Sequence, residues 1–140
     1  MYRLNSGEYV VADVHYGRWG ALERESNIKM ISEMDGYRVP IKVEQEPGSG
    51  GKESAESTIR NLAGMNILAD RPSGDKSIRA EPFAAQVQGG NVWLVQSPWN
   101  REYMTELEQF PNGPTKDMVD ASSGAFNSVV LAAYDMEALV

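Results

Sequence analysis

The segment from Val43 to Ser54 reads VEQEPGSGGKES. It follows a short apolar run, RVPIKV at residues 38–43, and it leads into a helix-like segment, ESAESTIRNLAG at 53–64. A strand, a glycine-rich connection and a helix in this order are typical of α/β proteins. Two chemistries compete for the segment: a phosphate-binding loop built from its glycines, or a cation site built from its glutamates.

The glycines match a nucleotide-binding loop poorly. The pattern GxxxxGK[ST] would take Gly51-Lys52 as its GK pair, but Glu53 then stands where a hydroxyl group should hold Mg²⁺. Glu46 stands where the first glycine belongs. Because a carboxylate at Glu53 would repel a triphosphate, we do not expect nucleotide binding. An ordinary flexible connection between a strand and a helix also favours glycine and serine.

Glu44 offers a different chemistry, because it lies at the end of the predicted strand. In open α/β sheets, ligands bind beyond the carboxyl ends of the strands. A carboxylate there, followed by backbone N–H groups and a helix N-terminus, suits a metal ion with a phosphate beside it. Pro47 is expected to end the strand, which places Glu46 in the loop.

A second acidic segment, TKDMVDASSGAFNSVV, occupies residues 115–130. Asp117 and Asp120 are three residues apart in a predicted helix, so they share one side of it. Aspartates in a first helical turn often cap N–H groups and complement the helix dipole, so a purely structural role of both residues is the alternative. With Glu44, however, they supply what a two-metal phosphodiester site needs, with oxygen ligands that suit Mg²⁺ or Mn²⁺.

The remaining pattern predicts an α/β fold with a mixed sheet, antiparallel at the start and parallel later. Residues 2–16 read as a hairpin around Asn5-Ser6-Gly7. An apolar stripe that includes Leu22 and Met34 predicts a helix over 21–35. Further helices are expected over about 53–62, within 75–90, over 100–110 and from 115 onward, and further strands within 38–45, 65–71 and 92–97.

The composition is that of a globular domain with an uneven charge. The chain has 140 residues, no cysteine and a net charge of −7. Residues 81–140 hold eight acidic and two basic residues, which gives −6. This acidity argues against a nonspecific DNA-coating protein, but not against a nuclease, because carboxylates that hold metal ions are themselves acidic. No apolar run is long enough to span a membrane. A local basic cluster marks where a phosphate backbone would lie: Lys52, Arg60, Arg71, Lys76 and Arg79.

The chain resembles the C-terminal nuclease domain of phage terminase large subunits, the DNA-packaging motors of tailed phages, over roughly residues 9–127. The resemblance rests on VEQEPGSGGKESAESTIRNLAG, ADRPSGDKSIRAEPFAAQVQGGNVWLV, FPNG and KDMVDASSGAFN. It implies a ribonuclease-H-like fold and an endonuclease that cuts concatemeric viral DNA by two-metal hydrolysis. It further implies Mg²⁺ or Mn²⁺ as cofactor, double-stranded DNA, the portal and the small terminase subunit as partners, and the cytoplasm of a bacterial host as location.

Site residues follow from the resemblance. Glu44 matches the family's strand-end acidic residue, and Asp117 matches the metal-binding aspartate of a late motif that commonly reads His-Asp-Asp-x-Val-Asp-Ala. Thr115 and Lys116 replace the histidine and the first aspartate of that motif here. Asp120 matches the later aspartate, an auxiliary ligand. Four residues of the basic cluster are candidates for contacts with DNA phosphates: Lys52, Arg71, Lys76 and Arg79.

One departure from the family concerns the start of the chain. Nucleases of this fold carry a first catalytic aspartate on the first strand, ahead of the hairpin, but no aspartate precedes Asp13. We expect Asp13 to be a surface residue and His15 to be structural or solvated.

The resemblance thus implies one nuclease domain over 1–140 that lacks its first strand and the ATPase domain, as a truncated gene or prophage remnant would. The alternative function is an impaired remnant that serves as a DNA-docking or assembly module. A sheet that lacks a strand also exposes an edge, so homo-oligomers are expected.

Overall fold

The structure, a computed structural model, describes residues 1–71 and 74–138. These residues form five strands and five helices in the order β1 (Tyr2–Arg3), β2 (Tyr9–Val11), α1 (Ala21–Asp35), β3 (Ile41–Glu44), α2 (Ser49–Asn61), β4 (Ile67–Asp70), α3 (Lys76–Gln88), β5 (Val92–Leu94), α4 (Asn100–Gln109) and α5 (Asp117–Ala138). They divide into two compact units. The first unit contains residues 1–16 and 74–138, and the second contains residues 17–71. No helix within the described residues is both long and apolar enough to cross a membrane.

The first unit is built on a three-stranded sheet in the order β1-β2-β5. β1 runs antiparallel to β2, and β2 runs parallel to β5, where Tyr9 pairs with Val92. The turn between β1 and β2 is closed by the N–H of Gly7, which donates to the carbonyl of Leu4 at 2.9 Å. Gly7 has a φ of 95°, a conformation that favours glycine. The mixed α/β fold is therefore confirmed, and so is the hairpin, although its second strand ends at Val11 and does not continue to Tyr16.

Aromatic side chains dominate the core of the first unit. Two groups of buried side chains pack there: Val11, Trp99, Tyr103 and Met118 in one, and Tyr9, Phe83 and Phe126 in the other. The ring centroids of Tyr9 and Phe83 lie 4.7 Å and 5.7 Å from that of Phe126. Phe83 lies on α3 and Phe126 on α5, so this packing joins the two helices to each other and to β2.

The second unit pairs β3 with β4 in parallel, and α2 packs against both strands. The sequence places the start of α2 near Glu53, but the helix begins at Ser49, so Gly50 and Gly51 lie inside it. That prediction was wrong because the local glycine content favours a loop, whereas packing against the strands extends the helix. At position 51 glycine is required, because a Cβ atom there would collide with the backbone carbonyl of Glu46.

Helix α1 has the predicted bounds, and its C-terminal Gly36 has a φ of 86°. Its apolar stripe is not buried along its whole length, since Leu22 is 87% exposed and Met34 is 73% exposed. Polar contacts join α1 to α2 instead. The carboxylate of Glu25 accepts hydrogen bonds from the hydroxyl group of Thr58 at 2.7 Å and from the amide of Asn61 at 3.0 Å.

The Glu25 carboxylate makes the stability of the second unit depend on pH. Burial raises the pKa of Glu25, but the hydrogen bonds from Asn61 and Thr58, together with the neighbouring Arg24 guanidinium, outweigh burial and leave this pKa lowered. A lowered folded-state pKa contributes stability above the unfolded-state pKa, and that stability is lost as the pH falls through the folded-state pKa. We expect Glu25→Gln to flatten the acid side of the pH profile of the unfolding free energy, measured by urea unfolding. Glu33→Gln, at an exposed position of α1, is the control. An unchanged acid limb in Glu25→Gln would contradict this role.

Candidate functional site

The two strands of the second unit each end in a carboxylate. Glu44 is the last residue of β3, Asp70 is the last residue of β4, and the two are direct partners in the parallel register. Neighbouring strands lie about 4.8 Å apart, and partners in register project from the same face of a sheet. Glu44 therefore lies at a strand's carboxyl end, as predicted, and Asp70 stands beside it. The sequence-based prediction missed Asp70.

A lysine and an arginine accompany these carboxylates. The Nζ atom of Lys42 lies 3.2 Å from Oδ2 of Asp70. Lys42 is two residues before Glu44 in β3, so it projects from the same face. Arg71 follows Asp70 directly, and its Nε donates to Oε1 of Gln45 at 3.0 Å. On this face Glu44 and Asp70 thus place two carboxylates near the ammonium group of Lys42, which pairs with Asp70.

The connection from β3 to α2 is shorter than the glycine pattern predicts. It spans only residues 45–48, because the helix begins at Ser49. Gly48 has a φ of 96°, which lets the chain turn into the helix. Lys52 lies in the first turn of α2 and pairs with Glu56 at 3.7 Å. Exposed pairs of this kind contribute little stability, so Lys52 can exchange that partner for a phosphate at small cost.

In the first unit, the acidic pair of α5 differs in its surroundings. Asp117 is exposed, whereas the side chain of Asp120 is only 8% exposed and forms an ion pair of 2.6 Å with the Nζ atom of Lys76. Lys76 opens α3, whose N-cap residue Asp75 accepts the N–H of Ser77 at 2.6 Å. That hydrogen bond is the main reason why the pKa of Asp75 is lowered. Lys76 therefore neutralises the charge of Asp120. Its contact with DNA stays a prediction.

A buried glutamate fixes the start of α5. Glu106 of α4 is 4% exposed, and its Oε1 accepts the backbone N–H of Val119 at 2.9 Å. One turn earlier in α4, the hydroxyl group of Tyr103 lies 2.7 Å from Oγ of Ser122. Burial is the main cause that raises the pKa of Tyr103 to about 12. The sequence-based prediction missed Glu106, although it falls in the same helical stripe as Tyr103, an unusual place for a charge.

The predicted site residues fall in both units. Glu44 belongs to the second unit, Asp117 and Asp120 belong to the first, and Glu44 and Asp117 are exposed. Within residues 1–71 and 74–138 no three side chains of the types His, Cys, Asp and Glu form a group that could hold a metal ion. That Glu44 and Asp117 act in one site stays a prediction. Asp13 is exposed as expected, and its Oδ2 lies 2.9 Å from Nε2 of His15.

The donor atoms fit a hard cation. Mg²⁺ is usually bound through one or two carboxylates, and water and substrate phosphates complete its coordination. Glu44 and Asp70 offer such oxygens in the second unit, and Asp117 offers them in the first. The chain has no cysteine that would form a soft site.

Comparison with known proteins gives the family. The family model described as a terminase RNaseH-like domain matches residues 7–129, a segment that contains Glu44, Asp117 and Asp120. Neither a search of curated proteins nor a search of solved structures found a match. Because the matched segment covers most of the 140 residues, the chain belongs to the family of terminase RNaseH-like domains.

Proposed function

We propose that the chain is the divalent-metal-dependent DNA endonuclease domain of a phage packaging terminase, which cuts concatemeric viral DNA in the cytoplasm of the bacterial host. The observation that carries this proposal is the family match over residues 7–129, which includes the acidic residues at the end of β3 and at the start of α5. The portal and the small terminase subunit are the proposed protein partners.

Glu44 and Asp117 are the proposed metal ligands, with Asp120 as an auxiliary acidic residue. When bound, Mg²⁺ or Mn²⁺ ions activate the attacking water and stabilise the leaving oxygen of a phosphodiester. The contribution of the protein is to hold its carboxylates in place. The strand pairing holds Glu44, because the N–H of the next residue, Gln45, donates to the carbonyl of Asp70 at 2.7 Å. The helical turn that carries Asp117 plays the same part in the first unit.

Basic side chains are the proposed contacts with DNA phosphates. Lys52 and Arg71 are exposed in the second unit, and Lys76 and Arg79 lie in the first two turns of α3 in the first unit. Because the chain carries a net charge of −7, its affinity for DNA must come from such local groups. Contacts of this kind make binding fall steeply as the salt concentration rises.

A second candidate function is a DNA-docking or assembly module that does not cleave. The observation that favours it is that the described part of the chain contains no group of three metal-ligating side chains. In this case the basic residues would keep their role, and the carboxylates would balance neighbouring charges, as Asp70 does with Lys42 and Asp120 does with Lys76.

Incubation of supercoiled plasmid with the 140-residue chain in Mn²⁺ tests the two functions. The proposed endonuclease converts the plasmid to nicked and linear forms, and excess EDTA stops the conversion. The docking module retards the plasmid on a gel in low salt without cutting it. If the plasmid is neither cut nor retarded, both functions are wrong.

A further inference from the structure

We propose that Glu106 is a positioning residue for Asp117, and that it acts by holding the first turn of α5. This inference rests on the proposed function, because Asp117 is a metal ligand only if the domain is a metal-dependent nuclease. Glu106 is a buried carboxylate to which that function gives no other role. It lies on α4, so it acts on Asp117 through the backbone of a different helix.

The geometry of the helix start carries the proposal. At the N-terminus of α5, the first backbone hydrogen bond between residues four apart runs from the N–H of Asp120 to the carbonyl of Lys116, at 2.9 Å. The N–H groups that precede it have no partner within the helix. Val119 carries the last of them, and Glu106 accepts it at 2.9 Å in a buried setting. The acceptor of this N–H therefore comes from α4.

A carboxylate is well suited to this position. A negative charge near the N-terminus of a helix is stabilised by the helix dipole, and a bond from a backbone N–H to a carboxylate is charge-assisted. A buried charge without such a partner would be costly. An apolar side chain would pack well beside the buried Tyr103, one turn earlier in α4, but it would leave Val119 N–H buried without an acceptor.

Asp117 depends on this acceptor because it is the first residue of α5. Its own side chain is exposed, so no enclosing packing fixes its position. If the first turn frays, the Asp117 carboxylate samples many positions, and a cation must then order the turn when it binds. Groups that orient metal ligands typically change metal affinity or activity by about 10- to 100-fold when they are removed.

The test is the affinity for Mn²⁺ of Glu106→Leu, measured by titration calorimetry with manganese chloride. We expect the affinity to fall by about tenfold. Amide hydrogen exchange at Val119 should accelerate by a similar factor. Nicking of plasmid should be slow at low Mn²⁺ and recover at high Mn²⁺, while the KM for DNA stays unchanged. Glu106→Gln keeps an oxygen acceptor and should restore the affinity to within about threefold of the wild type.

The matched control is Glu102→Leu, which makes the same change at an exposed position of α4 and should leave Mn²⁺ affinity unchanged. If Glu106→Leu does not fold, Glu106→Asp replaces it, because the shorter side chain withdraws the acceptor and keeps the charge. A folded Glu106→Leu or Glu106→Asp with wild-type Mn²⁺ affinity overturns the inference and leaves the proposed function intact. If the wild type itself binds no Mn²⁺ and cuts no plasmid, the proposed function is wrong, and the positioning role is overturned with it.

Discussion

Replacing Glu44 by glutamine will slow Mn²⁺-dependent plasmid nicking by more than about a hundredfold, and Asp117→Asn will do the same. The estimate is a lower bound, because even groups that only orient metal ligands cost up to about a hundredfold. Each substitution keeps the shape of the side chain and removes its charge. Both carboxylates are exposed, so neither change disturbs a core, and both variants should remain folded, which urea unfolding checks.

Two comparisons make this prediction specific. Glu46→Gln changes an exposed carboxylate in the loop two residues after Glu44, and it should cut at the wild-type rate. The double variant with Glu44→Gln and Asp117→Asn should be no slower than either single variant, because residues that act as one unit are not additive. If both single variants cut as fast as Glu46→Gln, the site has been assigned to the wrong residues. If the two losses multiply, Glu44 and Asp117 act separately.

The substitution Phe83→Ala will lower the free energy of unfolding of the first unit by about 3–5 kcal/mol. Phe83 is 1% exposed, and its ring packs against that of Phe126 at 5.7 Å between centroids. Truncation leaves a cavity between α3 and α5, and the aromatic packing is lost with it. Urea unfolding followed by tryptophan fluorescence measures the loss, since Trp93 and Trp99 belong to the first unit.

The control for this prediction lies on the same helix. Ile78 is 64% exposed on α3, and Ile78→Ala should change the unfolding free energy by less than about 0.5 kcal/mol. A similar small change in Phe83→Ala would show that the packing between α3 and α5 contributes little to the stability of the first unit. Because there are two units, the transition must first be tested for two-state behaviour.

Much of the fold follows from local patterns in the sequence. The sequence predicts the turn at Gly7 and the end of α1 at Gly36, and both are confirmed. The later strands, β3, β4 and β5, were predicted to be parallel, and each of them lies in a parallel pair. The start of α2 was not predicted, because Gly50 and Gly51 favour a loop when only their neighbours are considered. The exposure of Leu22 was not predicted either. Helical spacing predicts which face of a helix is apolar. It does not predict how much of that face another element covers.

The candidate site was predictable only in part. Glu44 and Asp117 lie at the end of a strand and at the start of a helix, positions that are visible in the sequence. Asp70 becomes notable only once β3 and β4 are paired, because the register alone places it beside Glu44. Glu106 lies 13 positions before Val119 in the sequence and accepts a hydrogen bond from its backbone N–H. Because every residue except proline has such an N–H, the identity of Val119 gives no sign of this contact. Both residues that were missed depend on tertiary pairing.

The parallel pairing of β2 with β5 has a consequence for biosynthesis. Tyr9 pairs with Val92, so this part of the sheet cannot form until Val92 has left the ribosome, 83 residues after Tyr9. The second unit is a continuous segment of the chain, and all of it emerges before β5 does. Domains tend to fold as units during synthesis, and long-range strand pairing is slow. Until then Tyr9 and Val11 lack the strand that pairs with β2, and we expect the second unit, which has been synthesised by that time, to fold first.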